Sequence, residues 1–248
     1  MITVLAHGCG GSGTSPTAPP SPAAQVVVLR VEGGTALSLA GKSQLRAFAL
    51  RRNAEVVPLT DGVQWTIRDG FIAISLGGLL TANGLGSSTA TASYQTAEGF
   101  TLKAVFPVVV EAENAADEQL AASWTGNMTC TECEYVSGAG PGSCGVGATS
   151  PLAVTTALSG KQVTASANLF GYVTTGSLSG FVSTSGDLML SGPLRIASEG
   201  AVMNIYVARL KVSGDDLAGT MTMDRSWISG FGPVLQREVY RVSAKRSS

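Results

Sequence analysis

Histidine is nearly absent from this chain of 248 residues, and its one example is His7. Residues 10–248 therefore contain no imidazole, which excludes the Ser-His-Asp and Cys-His forms of nucleophilic catalysis from them. They also lack the side chain that most often binds metal ions. We expect no catalytic residues, no metal site and no cofactor.

Charged residues are also scarce. They make up 13% of the chain, and its net charge is −1. That share is about half of the usual one. A chain without excess positive charge does not attract the phosphates of a nucleic acid, so we expect no nucleic-acid partner. Long apolar runs are also missing, because beyond residue 9 none approaches the roughly 18–20 residues that span a membrane.

Small and β-branched residues are what the chain has instead. Hydrophobic residues make up 44% of it, and it contains 31 glycines. β-branched side chains suit the pleated surface of a sheet, and glycine supplies the backbone conformations of tight turns. This composition predicts an all-β fold of short strands with enough apolar material for a core.

The N-terminus has a distinctive order of residues. An apolar stretch, 1–6, leads to Cys9, and residues 10–22 are only Gly, Ser, Thr, Ala and Pro. This order resembles the lipobox of bacterial lipoproteins. The resemblance implies a truncated leader over 1–9, lipid attachment at Cys9 and a disordered tether over 10–24.

It follows that the membrane would be a partner through the N-terminal lipid, with the protein in the bacterial cell envelope, at the outer membrane or cell surface. Leu5 stands one position earlier than the family prefers and no Lys or Arg precedes it. We therefore expect translation to begin upstream of Met1. The alternative is an ordinary cytosolic N-terminus in which Cys9 occurs by chance.

Alternating apolar and polar residues mark several short strands between residues 25 and 112. Val63, Trp65 and Ile67, for example, share one face of such a strand. Turn residues such as Asp61-Gly62 separate the runs at spacings near those of an antiparallel sandwich.

The order of these elements resembles the bacterial Ig-like domain, group 2, of invasin- and intimin-type surface proteins. Its segments here are LAGKSQLRA (39–47), QWT (64–66), IAIS (72–75), GLLTA (78–82) and TATASY (89–94). That family is a β-sandwich that serves mostly as a spacer or adhesive module. The resemblance therefore implies an Ig-like sandwich over 25–112, with Trp65 in its core.

A short acidic linker over 113–119 precedes a second pattern over 120–248. About eight strands alternate there with tight turns such as Ser159-Gly160. A meander of this kind removes its exposed edges by closing into an up-and-down barrel. We therefore predict an antiparallel eight-stranded barrel, a size that holds packed side chains or one small ligand in its lumen.

The opening Trp124-Thr125-Gly126 loosely resembles that of lipocalin- and avidin-like barrels, which often begin with Gly-x-Trp. The resemblance implies that Trp124 closes one end of the barrel. Five aromatic residues near strand ends or in the last long loop are candidates for the rim of a ligand pocket: Phe170, Tyr172, Tyr206, Trp227 and Phe231. Packing in the core or at the rim is the competing interpretation of each.

Three cysteines, Cys130, Cys133 and Cys144, lie close together in the sequence. Glu134 stands where a c-type haem motif needs histidine, and three thiols fall short of the four ligands of a structural zinc site. A thioredoxin-like pair needs a helix N-terminus, and no helical pattern follows. We expect one structural disulfide between Cys144 and either Cys130 or Cys133.

These observations predict a non-enzymatic cell-envelope lipoprotein, in which a spacer presents a barrel that binds a small ligand, a glycan or a surface partner. The alternative is a structural or adhesive surface protein with a filled barrel. A third hypothesis is a hydrolase with paired carboxylates from Asp187, Asp215, Asp216 and Asp224. A cavity in the lumen favours ligand binding, whereas a filled lumen favours the alternative.

Overall fold

The computed structural model describes residues 25–137, 145–230 and 232–247. Over these residues the protein is all-β, which confirms the predicted fold class. Within the same ranges, no helix combines the length and the apolar character needed to cross a membrane. The predicted lipid site Cys9, the tether 10–24, Cys144 and Phe231 lie outside the described residues.

The first half of the chain forms a two-layered sandwich. Its strands are β1 (Val26–Glu32), β2 (Ala36–Ser38), β3 (Lys42–Gln44), β4 (Arg46–Arg51), β5 (Val56–Leu59), β6 (Val63–Ile67), β7 (Ile72–Ile74), β8 (Leu79–Ala82), β9 (Gly86–Gln95) and β10 (Thr101–Glu111). One layer contains the sheets β1–β4–β5 and β3–β8–β7, and the other is β2–β10–β9–β6. The chain changes layer after β1, because β1 pairs with β4 whereas β2 pairs in parallel with β10.

Alternation along the strands produces the core of the sandwich. Ala90 on β9 and Val108 on β10 are fully buried, and the residues between such positions face outward. Phe106 lies among them and meets Trp65 edge to face, with 6.4 Å between ring centroids. Trp65 thus packs on the core while staying half-buried.

The second half begins with β11 (Glu113–Asn114) and a 3-10 turn, Glu118–Leu120. The strands that follow are β12 (Ser123–Ser137), β13 (Thr149–Ser159), β14 (Gln162–Leu169), β15 (Thr174–Thr175), β16 (Leu178–Ser183), β17 (Asp187–Ile196), β18 (Ala201–Ser213), β19 (Asp216–Ser229) and β20 (Gly232–Arg246). Eight of them, all except the two-residue β11 and β15, pair with their neighbours in chain order. The pairings β12–β20 and β16–β17 close this meander into an antiparallel barrel.

Closure brings backbones into tight contact where glycine is required. At Gly180 on β16, an added Cβ would lie 1.7 Å from the carbonyl oxygen of Met189 on β17. At Gly126 on β12, it would lie 2.2 Å from the carbonyl oxygen of Ser243 on β20. Any side chain at these two positions would force the strand pairings that close the barrel apart.

Apolar side chains fill the lumen. The core contains leucine, methionine, alanine, valine and aromatic side chains from all eight strands. Those at 0–1% exposure include Trp124, Met128, Leu169, Leu188, Leu190, Leu194, Met203, Ile205, Leu217 and Met223. Side chains this buried leave no water-sized space around them, so the lumen is packed as a core.

The barrel has two distinct ends. Strands β12, β14, β17 and β19 end at one of them, here called the loop end, and β13, β16, β18 and β20 end at the other, the hairpin end. Trp124 lies at the hairpin end, 1% exposed, with the guanidinium of Arg246 over its ring at 4.9 Å. Trp124 therefore lies at a barrel end, where the resemblance placed it.

Candidate functional site

A cluster of aromatic and charged side chains lies inside the loop end of the barrel. The guanidinium of Arg225 lies between two rings, 4.9 Å from the centroid of Phe170 and 4.8 Å from that of Trp227. Beneath it, Arg225 pairs with the carboxylate of Glu238 at 3.2 Å. Phe170 also meets Tyr240 edge to face, at 5.9 Å between centroids. We call these five residues the mouth cluster.

The backbone at Phe170 is unusual, because its φ of 60° lies in the left-handed region. A bulky residue adopts this conformation rarely and at a cost of about 1–3 kcal/mol. The following residue, Gly171, has a φ of 80°, which glycine adopts without that cost. The turn after β14 thus holds the Phe170 ring against Arg225 and Tyr240 instead of releasing it to solvent.

Burial dominates the electrostatics of the mouth cluster. The side chain of Glu238 is 4% exposed, and loss of solvent raises its pKa, while the positive charge of Arg225 opposes that rise. Burial also raises the pKa of Tyr240, which the neighbouring Glu238 raises further. Arg225 remains 28% exposed, so the cluster has a solvent-facing cation stacked between rings and an acid beneath it.

Two other predicted pocket residues have different outcomes. Tyr172 lies on the same loop end, 40% exposed, and a hydrogen bond with Glu199 raises the pKa of its hydroxyl. Phe231 lies outside the described residues. The structure therefore brings Phe170 and Trp227 together in the mouth cluster, with Tyr172 on the same end.

Tyr206 lies elsewhere, which corrects its placement at a pocket rim. It is 1% exposed on the outer face of the barrel, where the sandwich covers β18. Its ring stacks on Phe106 of β10, with 5.6 Å between centroids and 11° between planes. Its hydroxyl donates to Asp224 at 2.8 Å. Tyr206 therefore joins sandwich to barrel and is closed to ligands in this arrangement.

The joint between sandwich and barrel is built from buried charges around Tyr206. Asp224, 3% exposed, accepts two hydrogen bonds from Arg237, at 2.8 and 3.0 Å. Arg237 also donates to the backbone oxygen of Val105 on β10, at 2.5 Å. Burial raises the pKa of Asp224, while the hydrogen bonds from Arg237 and Tyr206 oppose that rise. These contacts fix one orientation of the two halves.

A second buried group supports the same joint. Arg30 and Glu32 on β1 pair at 2.7 Å and are about 95% buried. Glu32 also accepts a hydrogen bond from Arg195 on β17 at 2.5 Å, and Arg30 donates to Ser226 on β19 at 3.0 Å. The sequence signal was present, because Arg30 and Glu32 interrupt an otherwise apolar strand. Buried charges of this kind require partners. The barrel supplies some of them, through Arg195 and Ser226.

Cys130 and Cys133 lie on the part of β12 that runs toward the loop end. Cys133 takes part in a disulfide, whereas Cys130 is a free, buried thiol. Cys144 lies outside the described residues, so its pairing stays a prediction. Burial raises the pKa of Cys130, and its thiol donates to the carbonyl oxygen of Glu132 at 3.3 Å. A raised pKa disfavours the thiolate that nucleophilic chemistry uses.

The four aspartates considered for hydrolysis all have cationic partners. Asp215 pairs with Arg246 and Asp216 with Lys245 at the hairpin end, at 3.4 and 2.8 Å. Asp187 pairs with Arg209, and Asp224 belongs to the joint. Within 25–137, 145–230 and 232–247, no group of three or more His, Cys, Asp or Glu residues is arranged to hold a metal ion.

Comparison with known proteins adds little to this geometry. No protein-family profile matches the chain, and no curated protein matches it. Among solved structures, it is similar to the lipoprotein BT2262 from Bacteroides thetaiotaomicron, with 11% sequence identity and a TM-score of 0.25, over 86% of this chain and 100% of that one.

Proposed function

We propose that this protein is a non-enzymatic, lipid-tethered component of the bacterial cell envelope that works as a rigid structural or adhesive arm. In this proposal the lipid is attached at Cys9 and residues 10–24 are the tether. A bacterial Ig-like module over 25–112 is the spacer, and the barrel meets its partner with outward-facing surfaces.

The packed lumen is the main observation in favour of a structural or adhesive function. Side chains such as Met128, Leu190 and Met223 are at most 1% exposed inside the barrel. A lipocalin-type ligand needs a cavity of about 300–1,000 Å³, and these side chains occupy that space. A barrel filled in this way favours the structural or adhesive function over ligand storage.

The joint supports the rigidity of the arm. The buried ion pair Asp224–Arg237 lies on the barrel and the buried pair Arg30–Glu32 on the sandwich. Each also bonds across the joint, since Arg237 donates to the backbone oxygen of Val105 and Glu32 accepts from Arg195. Interfaces between domains are usually more polar than cores and permit relative motion. Here the buried charges are satisfied mainly in one arrangement, which resists such motion.

Intact-protein mass spectrometry tests the envelope placement. The gene is expressed in a bacterial host with its natural upstream sequence, and the protein is recovered from the membrane fraction. We expect a chain that begins at Cys9 and carries the added mass of a diacylglycerol. A soluble chain that retains residues 1–8 without added mass would overturn the lipoprotein proposal. A Cys9→Ser variant is the matched control for lipid attachment.

A fluorescent apolar probe, N-phenyl-1-naphthylamine, tests the filled barrel. Binding is measured as energy transfer from tryptophan to the probe. We expect no saturable binding, because Trp124 and the other core side chains fill the lumen. Saturable one-to-one binding would restore the small-ligand function in place of the structural one.

A further inference from the structure

A cleft opens on the outer face of the barrel, between the first residues of β12 and the turn after β14. It has a volume of about 300 Å³, and its lining includes Thr125 on β12, Pro151 and Ala153 on β13, Asn168 on β14, and Tyr172 and Val173 on the following loop. We call it the outer cleft. It is separate from the mouth cluster, whose residues face the inside of the barrel.

Small residues make this surface concave. Gly171 lines the outer cleft and contributes only backbone, and its φ of 80° favours glycine there. The outward residue of β13 at the cleft is the small Ala153. Gly126 also lines the cleft, but a side chain there would point toward Ser243 and Ala244 of β20 and not into the cleft. The tight turn after β14 and the small outward residue of β13 therefore leave room for the cleft.

The outer cleft has no charged lining residue. The outward positions around it on β13 and β14, including Thr155, Thr164 and Ser166, are also uncharged and exposed. The charged groups nearest to the cleft already have partners: Lys245, opposite Thr125 on β20, pairs with Asp216 at 2.8 Å, and Glu199 shares a hydrogen bond with the Tyr172 hydroxyl. An ionic ligand would lose solvent here without gaining a counter-charge, which is unfavourable. A neutral ligand has no such cost.

Hydroxyl, amide and aromatic groups remain available to such a ligand. The Asn168 carbonyl oxygen accepts from the backbone N–H of Thr174 at 3.2 Å, so that amide is held in place. Thr125 lies 3.3 Å from the Ser247 hydroxyl, which leaves its own oxygen able to accept or donate. Tyr172 and Val173, 40% and 75% exposed, supply apolar surface. A few fixed polar groups beside an aromatic ring are typical of specific small binding sites.

We infer that the outer cleft binds a neutral saccharide unit of a surface or extracellular glycan. This inference rests on the proposed function, because it names the partner chemistry of the arm. A sugar ring presents apolar C–H groups to the Tyr172 ring and hydroxyls to Asn168 and Thr125. An anionic polysaccharide does not fit, since no cation of the cleft receives its charge.

Affinity electrophoresis of the full chain tests the inference. Native gels contain one of four neutral polysaccharides, dextran, laminarin, mannan or xylan, or one of two anionic ones, alginate or polygalacturonate. We expect at least one neutral polysaccharide to retard the protein, with no retardation by the anionic pair. The double variant Tyr172→Ala, Asn168→Ala should bind about tenfold more weakly, because truncation of central contact residues removes most of the affinity.

Phe100→Ala is the matched control, since Phe100 is an aromatic residue 61% exposed on the sandwich. Its retardation should equal that of the unmodified chain, and near-ultraviolet circular dichroism should confirm that both variants are folded. Lack of retardation by all four neutral polysaccharides, or equal retardation of the double variant, would overturn the inference. Neither result affects the mass measurement of lipid attachment at Cys9. A failure of the saccharide inference can therefore be distinguished from a failure of the proposed function.

Discussion

The two ends of the barrel are closed by different kinds of side chain. At the hairpin end, Trp124 and Leu120 close the lumen with apolar surface. At the loop end, Arg225 and Glu238 lie inside the strands, where Arg225 stacks between Phe170 and Trp227 and pairs with Glu238. One end is therefore a continuation of the core, and the other combines packing with buried charge.

The charges are distributed in the opposite way on the surface. The hairpin end has exposed ion pairs outside the barrel, such as Lys245 with Asp216. The loop end has exposed apolar side chains instead, including Tyr172, Val173 and Ile228. Exposed apolar groups near rigid elements are candidates for contacts with other molecules. The two ends therefore differ outside the barrel as well as inside it.

The largest effect should come from opening the hairpin end. Trp124→Ala removes a fully buried ring and leaves a cavity, so we expect a loss of about 3–5 kcal/mol in the free energy of unfolding. Urea unfolding measures it. Trp227→Ala, the matched change at the loop end, removes a half-buried ring and should cost about 1–2 kcal/mol. Equal losses would contradict the distinction between the ends.

The charged pair at the loop end should have the next largest effect. Arg225→Met leaves the Glu238 carboxylate buried without its cation, and we expect a loss of about 2 kcal/mol. Adding Glu238→Gln should recover part of that loss, because both charges are then gone. A double-mutant cycle by urea unfolding measures the coupling. If the double variant were as unstable as the sum of the two single changes, the pair would contribute nothing.

The pH dependence of unfolding tests the buried acid at the loop end, which has no counterpart among the described residues inside the hairpin end. Burial raises the pKa of Glu238 above its ordinary value of 4.5 in the folded protein. The stability that this group contributes is complete below pH 4.5 and is lost as the pH rises through the raised value. Glutamine does not titrate, so Glu238→Gln should gain stability relative to the unmodified chain as the pH increases from 4 to about 7.

Urea unfolding at several pH values checks this expectation. Asp224 also has a raised pKa, but it is present in both proteins and its contribution cancels in the difference. A difference that stays constant over this range would show that Glu238 titrates in the folded protein as it does in the unfolded chain.

Local patterns predicted much of the fold. Alternation marked strands such as β4 and β6, and glycine-containing turns marked the meander that closes into the barrel. The short strands β2 and β5 escaped detection, since three or four residues carry too little periodicity. The position of Trp124 at a barrel end followed from a resemblance rather than from any pattern.

The joint and the mouth cluster were harder to foresee because both depend on contacts between distant segments. Tyr206 looked like a rim residue, yet β18 is buried on both faces from Ala201 to Tyr206. That run, apolar except for Asn204, was the available signal, since strands covered on both sides lose their alternation. No local pattern specifies that Phe170 adopts a left-handed backbone and stacks on Arg225.

The smallest effect should come from the outermost layer of the hairpin end. Arg246 covers the Trp124 ring at 4.9 Å and donates to the carbonyl oxygen of Gln119 at 2.7 Å. Its side chain is 30% exposed, so water replaces much of what a substitution removes. We expect Arg246→Gln to cost about 0.5–1 kcal/mol in urea unfolding, because exposed cation–π contacts are weak. A loss as large as that of Trp124→Ala would mean that the hairpin end also depends on buried charge, and the contrast between the two ends would then disappear.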